Sequence, residues 1–356
     1  MTEFTANSGS SETGTPAVHR VEASPRTVNW GYFDNSTEPV CRVESGDIVE
    51  IEGITHHAGD APEYMMDDAV REIYEEIPPA DRGPGSHIVT GPIHVEDAAP
   101  GDVLECRVLD LRTRLPYGSN LTAGWGRLSA DFDGEEYVTI YQVDEGTGTA
   151  EAVFQYEYPG EYTQAGSVTD LDTVEAASVL DGVRVPARYH FGTAGVAPAE
   201  PGPVDSVPPS VYGGNVDNRQ FGVGTSMYYP VQVAGALFTA GDPHIAEGDG
   251  EISGTAIEAH LNGLFQFFLH KDLDVSTPTL ETASHWMTHA FDQDLDDAIR
   301  KAALEMIEFL EANMGLAPPS AYSLLSVAGD FHATQVVNGE QGMHCKIPKD
   351  IFPQTI

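Results

Sequence analysis

The chain has 356 residues, and its 17 Lys plus Arg against 56 Asp plus Glu give a formal net charge of −39. A surface this negative repels nucleic-acid phosphates and anionic membranes, which excludes both as partners. Hydrophobic residues make up 41% of the chain, well above the composition of a disordered acidic protein, so we expect a folded core.

The charge balance predicts a protein of a halophilic, salt-rich cytoplasm, because concentrated salt screens the repulsion among hydrated carboxylates. The first residues, MTEFTANSGSSETGTP, lack the basic and apolar regions of a signal peptide, and no run reaches the roughly 18 apolar residues of a membrane span. We therefore expect a soluble cytoplasmic protein. The three cysteines are too few and too scattered for a disulfide framework or a cysteine-based zinc site.

In chain order, residues 1–26 are predicted to be a disordered acidic and polar tail, and residues 27–185 a β-rich N-terminal part. In this part β-branched and aromatic segments follow one another without alternating helices, which favours a sandwich or barrel over βαβ units. One helix is expected at about 67–76, with apolar residues at helical spacing on one face: Met66, Val70, Ile73 and Ile77.

Residues 186–356 are predicted to form a second β part that bears the site and ends in helices. Its first stretch, 186–218, interleaves Pro and Gly with aromatic residues, which favours an ordered loop over a flexible linker. Farther on, the apolar spacing predicts a helix that begins after Asp294 and ends at Gly315, followed by a short helix after Pro319. The predicted fold class is α+β, predominantly β, with sandwich-like antiparallel sheets and a C-terminal α-hairpin, both parts forming one continuous globular unit.

Polar motifs with glycine point to a site in this second part, at 213–218 (GGNVDN), 241–244 (GDPH) and 248–251 (GDGE). Carboxylate oxygens and imidazole nitrogens that converge from several loops can hold a divalent metal with an open position for water. Asp217, Asp242 and His244 have that chemistry. The alternatives are a hydrogen-bonded structural histidine at His244, and a solvated turn at Asp249 and Glu251.

Histidines of the N-terminal part are weaker candidates for lining the same site. His56 and His57 follow a predicted strand, where successive side chains face opposite sides, so at most one of them faces a site. His87 lies in a loop before an apolar segment, and for all three the alternative is a capped loop histidine. The chain lacks a nucleophile elbow, a Walker loop, a dinucleotide fingerprint and EF-hand spacing.

Three segments in matching order resemble the acetamidase/formamidase family. They are TGPIHVEDAAPGDVLECRVLDL at 90–111, GGNVDNRQFGVGTSMYYPVQVAGALFTAGDPHIAEGDGEISGTAIE at 213–258 and SAYSLLSVAGDFHATQVVN at 320–338. The resemblance implies a β-rich, sandwich-like fold with α additions. It also implies hydrolysis of a short amide, formamide or acetamide, to carboxylate and ammonia at a metal centre such as zinc.

The polar site motifs of the family fall on seven positions of this chain: Asn215, Asp217, Asp242, His244, Asp249, Glu251 and Glu258. Two departures leave open questions. Asn29 stands where many relatives have a histidine, and the segment 56–85 is longer than in the simplest members, which suggests a lid or subgroup loop.

The mechanism we expect places a divalent metal, zinc with calcium as the alternative, on Asp217, Asp242 and His244. Glu251 is the expected base that takes the proton of water, and Asn215 is the expected donor to the oxyanion. Two other functions stay open: a non-catalytic divalent-cation-binding β protein, and a hydrolase of a cyclic amide. The expected partners are a small amide substrate and further copies of the chain in a homo-oligomer, through the segment 227–238 or the α-hairpin.

Overall fold

The computed structural model describes residues 15–56, 60–158 and 167–353, and it confirms the predicted fold class. His57 lies outside the described residues. The strands as far as residue 169 are β1 (Val18–Val21), β2 (Val28–Trp30), β3 (Tyr32–Phe33), β4 (Cys41–Val43), β5 (Ile48–Gly53), β6 (Asp60–Pro62), β7 (Ile88–Val95), β8 (Val103–Thr122), β9 (Tyr137–Asp144), β10 (Thr149–Glu157) and β11 (Ser167–Thr169).

The strands of the second part complete the sheets. They are β12 (Arg184–Pro186), β13 (His190–Gly195), β14 (Val204–Asp205), β15 (Gly213–Asn215), β16 (Ser226–Pro230), β17 (Phe238–Ala246), β18 (Ile257–His270), β19 (Thr279–Glu281), β20 (His285–Asp292), β21 (Asp330–Ala333) and β22 (Gln341–Pro348). Most pairings are antiparallel, and the stretch predicted to be an ordered loop contributes short strands and buried residues.

The three helices form close to their predicted positions. They are α1 (Asp68–Glu76), α2 (Leu295–Met314) and α3 (Pro318–Ala328), with 3-10 turns at Glu63–Met65, Pro79–Asp81, Ser129–Phe132, Leu171–Thr173 and Lys349–Ile351. Asp294 accepts from the amides of Asp296 and Asp297, and Gly315 ends α2 in the left-handed conformation, φ 65°. Within the described residues, no helix has the length and apolar character needed to cross a bilayer.

Of the five buried clusters among the described residues, two hold most of the large sheet and the C-terminal helices. The largest contains residues from both sides of the predicted boundary, among them Ile51, Phe191 and Phe265. A second packs α2 and α3 on β20 and β22. The apolar segment 227–238, predicted to offer a surface for oligomer formation, lies mainly in these cores: Met227, Tyr228, Tyr229, Val231 and Phe238 are buried.

The predicted tail extends too far along the chain. β1 lies within it and pairs in parallel with β5, from Val18 opposite Ile48 to Val21 opposite Ile51. Val21 is 4% exposed and belongs to the main core. The isolated segment is short and polar, so its pattern carries no strand signal, and the exposed edge of β5 supplies the hydrogen bonds that order it.

The buried carboxylate of Glu52 ties the N-terminal segment to the sheet. It accepts from Arg20 at 2.8 Å and from the amide of Ala23 at 3.1 Å, and Arg114 lies 2.6 Å away. Although burial raises the pKa of Glu52, hydrogen bonds from Arg20 and Arg114 bring it below its usual value. The stabilisation by this ionised group is therefore present above about pH 4.3 and is lost as the pH falls further.

We expect Glu52→Gln to lower the free energy of unfolding by about 2 kcal/mol at neutral pH, because it removes one of the two carboxylates, Glu52 and Asp67, that pair with the buried Arg114 guanidinium. Denaturant unfolding at fixed high salt measures the difference, which should shrink below about pH 4 as Glu52 of the parent protein becomes protonated. The exposed Glu44→Gln is the control. Equal stability of both variants would show that the Glu52 pairs contribute nothing net.

Candidate metal centre

The register of three neighbouring strands places His244 between two ionisable side chains. On β17, His244 lies opposite His190 of β13 on one side and opposite Glu258 of β18 on the other. Side chains of directly opposed residues project to the same face of a sheet and lie within contact distance. The sheet therefore gathers residues that are far apart in sequence around one imidazole ring.

Five buried carboxylates and a second histidine surround this ring. Their donor atoms form three groups that share His244, each within 4.8 Å: Asp242, His244 and Glu258; Asp217, His244 and Glu251; His190, His244 and Glu247. All these residues are buried. Imidazole nitrogens with carboxylate oxygens are the ligand set that zinc and related divalent metals take in proteins.

The Nε2 edge of His244 has the spacing of a cation site. Nε2 lies 3.3 Å from Glu258 Oε2 and 3.5 Å from Asp242 Oδ2, yet makes no well-directed hydrogen bond. Asp217 Oδ1 is also buried without a hydrogen bond, while its Oδ2 accepts from Asn338 at 2.8 Å. Buried polar atoms rarely lack a hydrogen-bond partner, so His244 Nε2 and Asp217 Oδ1 have the character of cation ligands.

Three of these carboxylates stand on a strained backbone. Asp217, Asp242 and Glu251 have φ values of 50°, 52° and 45°, and they are three of the eight non-glycine residues with positive φ among the described residues. Each such residue costs about 1–3 kcal/mol and persists only where the surrounding structure enforces it. The strain is concentrated where side chains are aimed at a common point.

Gly192, on β13, leaves the space into which these side chains project. A Cβ atom built on it would lie 2.5 Å from Asp217 Oδ1, 2.5 Å from His244 Cε1 and 3.0 Å from Asp242 Oδ2. Real Cβ atoms do not approach other atoms this closely. The absence of a side chain at Gly192 is therefore required by the way the ligand atoms converge.

Burial and mutual repulsion shift the acid–base properties of the group. Burial raises the pKa of Asp217 and of Glu251 well above the usual range, and neighbouring carboxylates reinforce the shift. Burial likewise raises the pKa of Glu258 to about 7. Burial opposes ionisation of His244 as well, but Glu258 and Asp242 raise its pKa well above its usual value. These shifts mean that the buried carboxylates are stabilised by positive charge, which either bound protons or a bound cation can supply.

A cavity of about 450 Å³ is lined by the two carboxylates that face His244 Nε2. Its polar lining includes Asp242, Glu251 and Glu258, and its apolar lining includes Trp125 and Val207. A concave site with a few convergent polar groups and shifted pKa values has the form of a small-molecule site.

Comparison with known proteins identifies the family of this chain. The family model described as the Acetamidase/Formamidase family matches residues 28–203 and 202–354. The chain belongs to this family. As a member it is an amidase.

Relatives of this amidase are similar at moderate identity. An acetamidase of Mycolicibacterium smegmatis is 28% identical over 303 residues, 68% of this chain and 73% of the relative. A formamidase of Methylophilus methylotrophus is 31% identical over 196 residues, 47% of each chain. The crystal structure of an acetamidase from Bacillus halodurans superposes with a TM-score of 0.74 at 26% identity, covering 94% of this amidase and 98% of that chain. The predicted family resemblance is thereby confirmed.

The structure brings most of the predicted site residues of this amidase together. Asp217, Asp242, His244, Glu251 and Glu258 all lie in the cluster. Asn215, His56 and His87 line the cavity, with His87 Nε2 3.7 Å from Asp242 Oδ2 and its Nδ1 3.1 Å from the Ser206 carbonyl oxygen.

Asp249 lies apart from the others. Its carboxylate pairs with Arg219, Nε to Oδ1 at 2.6 Å, and with His332 at 3.2 Å. It lines a second cavity, of about 460 Å³, on another side of the cluster. Arg219 compensates the charge of Asp249, and the Asp249 carboxylate is therefore separate from the atoms around His244.

Two cluster residues were not predicted from the sequence. Glu247 belongs to the same acidic stretch as His244, three residues on, but nothing in that stretch distinguishes it from Asp249. His190 is a lone histidine in a Pro- and Gly-rich segment. Only the pairing of β13 with β17 places it opposite His244, and no local signal gives that register.

Proposed function

We propose that this amidase is a metal-dependent amidohydrolase that cleaves a short aliphatic amide, formamide or acetamide, to carboxylate and ammonia. The observation that carries the proposal is the convergence of ligand atoms of Asp242, His244 and Glu258 within 4.8 Å, with Asp242 and Glu258 lining the cavity. The acetamidase and formamidase relatives support the choice of substrate class.

Asp242, His244 and Glu258 would hold the cation, with Asp217 beside them. We assign zinc rather than calcium, because an imidazole nitrogen suits zinc whereas calcium takes oxygen ligands alone. When bound, the cation supplies Lewis-acid activation of water and of the amide carbonyl. His87 Nε2 lies 3.7 Å from Asp242 Oδ2, the oxygen that also faces His244, and would restrain that carboxylate.

Glu251 carries the proton in this proposal. It lies at the cavity wall beside Asp217, and burial raises its pKa well above the usual value, which makes its carboxylate a stronger base. It accepts a proton from the attacking water and delivers it to the departing nitrogen, which leaves as ammonia. Asn338 Nδ2, 3.5 Å from Glu251 Oε2 and 2.8 Å from Asp217 Oδ2, keeps the two carboxylates in place.

Asn215 is the donor we assign to the oxyanion. Thr193 donates to its Oδ1 at 2.7 Å, and its Nδ2 donates one proton to the Val207 carbonyl oxygen at 3.1 Å. These bonds fix the orientation of the amide and leave the second Nδ2 proton for the substrate. A donor held in advance of reaction stabilises developing charge without reorganisation.

We further place the protein in a salt-rich cytoplasm, as a homo-oligomer. The net charge of −39 supports the first assignment, because only screening by salt relieves repulsion on this scale. Apolar side chains on the outer face of α3 support the second: Tyr322 is 66% exposed and Val327 is 81% exposed.

The deciding experiment measures ammonia release from formamide, acetamide and propionamide in concentrated potassium chloride. We expect release to be lost after chelation, to return with added zinc, and to fall in dilute salt as the protein unfolds. Release that survives complete chelation would contradict metal dependence. Calcium binding without any ammonia would support a non-catalytic cation-binding protein, and faster turnover of a lactam would support a cyclic amide as substrate.

A further inference from the structure

The Nδ1 edge of His244 faces a second group of ligand-type atoms. His190 Nε2 lies 3.1 Å from His244 Nδ1, and Glu247 Oε2 lies 3.5 Å from it. The side chains of all three residues are at most 1% exposed. The ring of His244 therefore separates two groups, one at each nitrogen.

The tautomer of His190 follows from its other nitrogen. Nδ1 lies 2.9 Å from the Arg188 carbonyl oxygen, which can only accept, so Nδ1 carries the proton. In a neutral ring Nε2 then presents a lone pair. A histidine whose Nδ1–H is held by a backbone carbonyl has the arrangement of a metal ligand that binds through Nε2.

That lone pair points at another acceptor. His190 Nε2 and Glu247 Oε2 are 2.8 Å apart, and an ionised carboxylate also has only lone pairs to offer. A cation must lie between them, either a proton or a metal ion. The three atoms are 2.8, 3.1 and 3.5 Å apart, so an ion about 2.1 Å from each fits just above their plane.

The charge of the whole cluster favours the metal ion. Five carboxylates are buried around His244: Asp217, Asp242, Glu247, Glu251 and Glu258. None of them forms a salt bridge with a Lys or Arg in the part of the chain that the structure describes. When all five are ionised, one divalent cation compensates only two of the five charges, and the remaining charge is costly in a buried site.

Glu247 also has an unused ligand atom and lines a cavity. Its Oε1 is buried without a hydrogen bond. Glu247 lines the 460 Å³ cavity, which is also lined by Arg188 and Asp249 and which shares Glu251 and Thr255 with the substrate cavity. The group at Nδ1 therefore lies beside a cavity and has a ligand atom to spare.

We propose that His190, His244 and Glu247 bind a second divalent cation, and that the His244 ring bridges it to the cation of the proposed function, on which this inference rests. Binding of the second ion replaces the ring proton of His244, which is released to solvent, so both ring nitrogens then act as ligands. The two ions add four positive charges and the deprotonated ring of His244 adds one negative charge, so binding offsets three of the five carboxylate charges.

The test counts metal ions in the folded full-length chain. After equilibration with zinc and removal of the excess, we expect elemental analysis to give two ions per chain for the parent protein. His190→Gln and Glu247→Gln should each retain one. Asp249→Asn, in the same cavity but paired with Arg219, should retain two. Circular dichroism confirms that each variant is folded.

Copper provides a readout that a purely structural hydrogen bond would not change. Two Cu²⁺ ions bridged by one imidazole couple magnetically, so the parent protein loaded with copper should show a strongly reduced electron paramagnetic resonance signal. Glu247→Gln should restore the signal of an isolated ion. One ion per chain in the parent and in both variants, with an uncoupled signal, would overturn the inference and assign a proton to the His190–Glu247 contact. Metal-independent ammonia release would instead contradict the proposed function.

Discussion

His244→Ala is expected to remove metal binding at both edges of the ring and to lower kcat/KM for amide hydrolysis by at least about 10³-fold. The imidazole is shared by all three groups of ligand atoms, so its loss removes the one ligand that these groups have in common. Ammonia release and elemental analysis, measured on the same preparation, give the two losses together.

The controls separate the site from the fold. His270→Ala removes a partly buried histidine that pairs with Glu105, at 2.8 Å, outside the cluster, and it should keep metal and activity. His244→Gln preserves most of the side-chain volume and should be as inactive as the alanine variant. A His244→Ala protein that is folded, metal-loaded and fully active would refute the assignment.

Gly192→Ala is expected to inactivate the enzyme although it replaces none of the proposed metal ligands. The added methyl group would occupy the space between Asp217, His244 and Asp242, at distances of 2.5–3.0 Å from their atoms. These side chains must move apart, and a displacement of about 1 Å in such a site costs on the order of 10²-fold in rate. Overpacking should also lower the free energy of unfolding by about 1–3 kcal/mol.

Gly248→Ala is the matched control for this substitution. It lies next to Glu247, but a Cβ atom there meets no atom within 4 Å, so activity and metal content should be unchanged. Isothermal titration with zinc measures the affinity of both variants. If Gly192→Ala binds zinc as tightly as the parent protein, the ligand atoms do not converge where the structure places them.

Local sequence signals predicted the elements whose causes are local. The caps of α2, Asp294 and Gly315, act within one turn of the helix. The apolar face of α1 follows from the spacing of apolar residues along the sequence. β1 was missed because its order depends on the edge of β5, a partner outside its own sequence. Strands are predicted well by pattern and poorly where only pairing decides them.

The same distinction applies to the site. The motif GDPH and the family resemblance identified Asp242 and His244, and Glu258 was named as a site residue. His190 entered the cluster only through strand register, which the sequence of either strand leaves undetermined. Asp249 and Glu247 are two residues apart with similar chemistry, and the position of Arg219 in the fold decides which of them faces His244.

The left-handed backbone at Asp217, Asp242 and Glu251 lowers the stability of the fold in order to position side chains of the proposed active site. Glycine adopts positive φ without strain, so glycine at any of these positions would relieve strain and remove a charge from a crowded buried group. A laboratory selection for heat resistance alone would therefore enrich such substitutions and yield robust, inactive proteins. Thermostable variants of this enzyme should be screened for turnover from the first round.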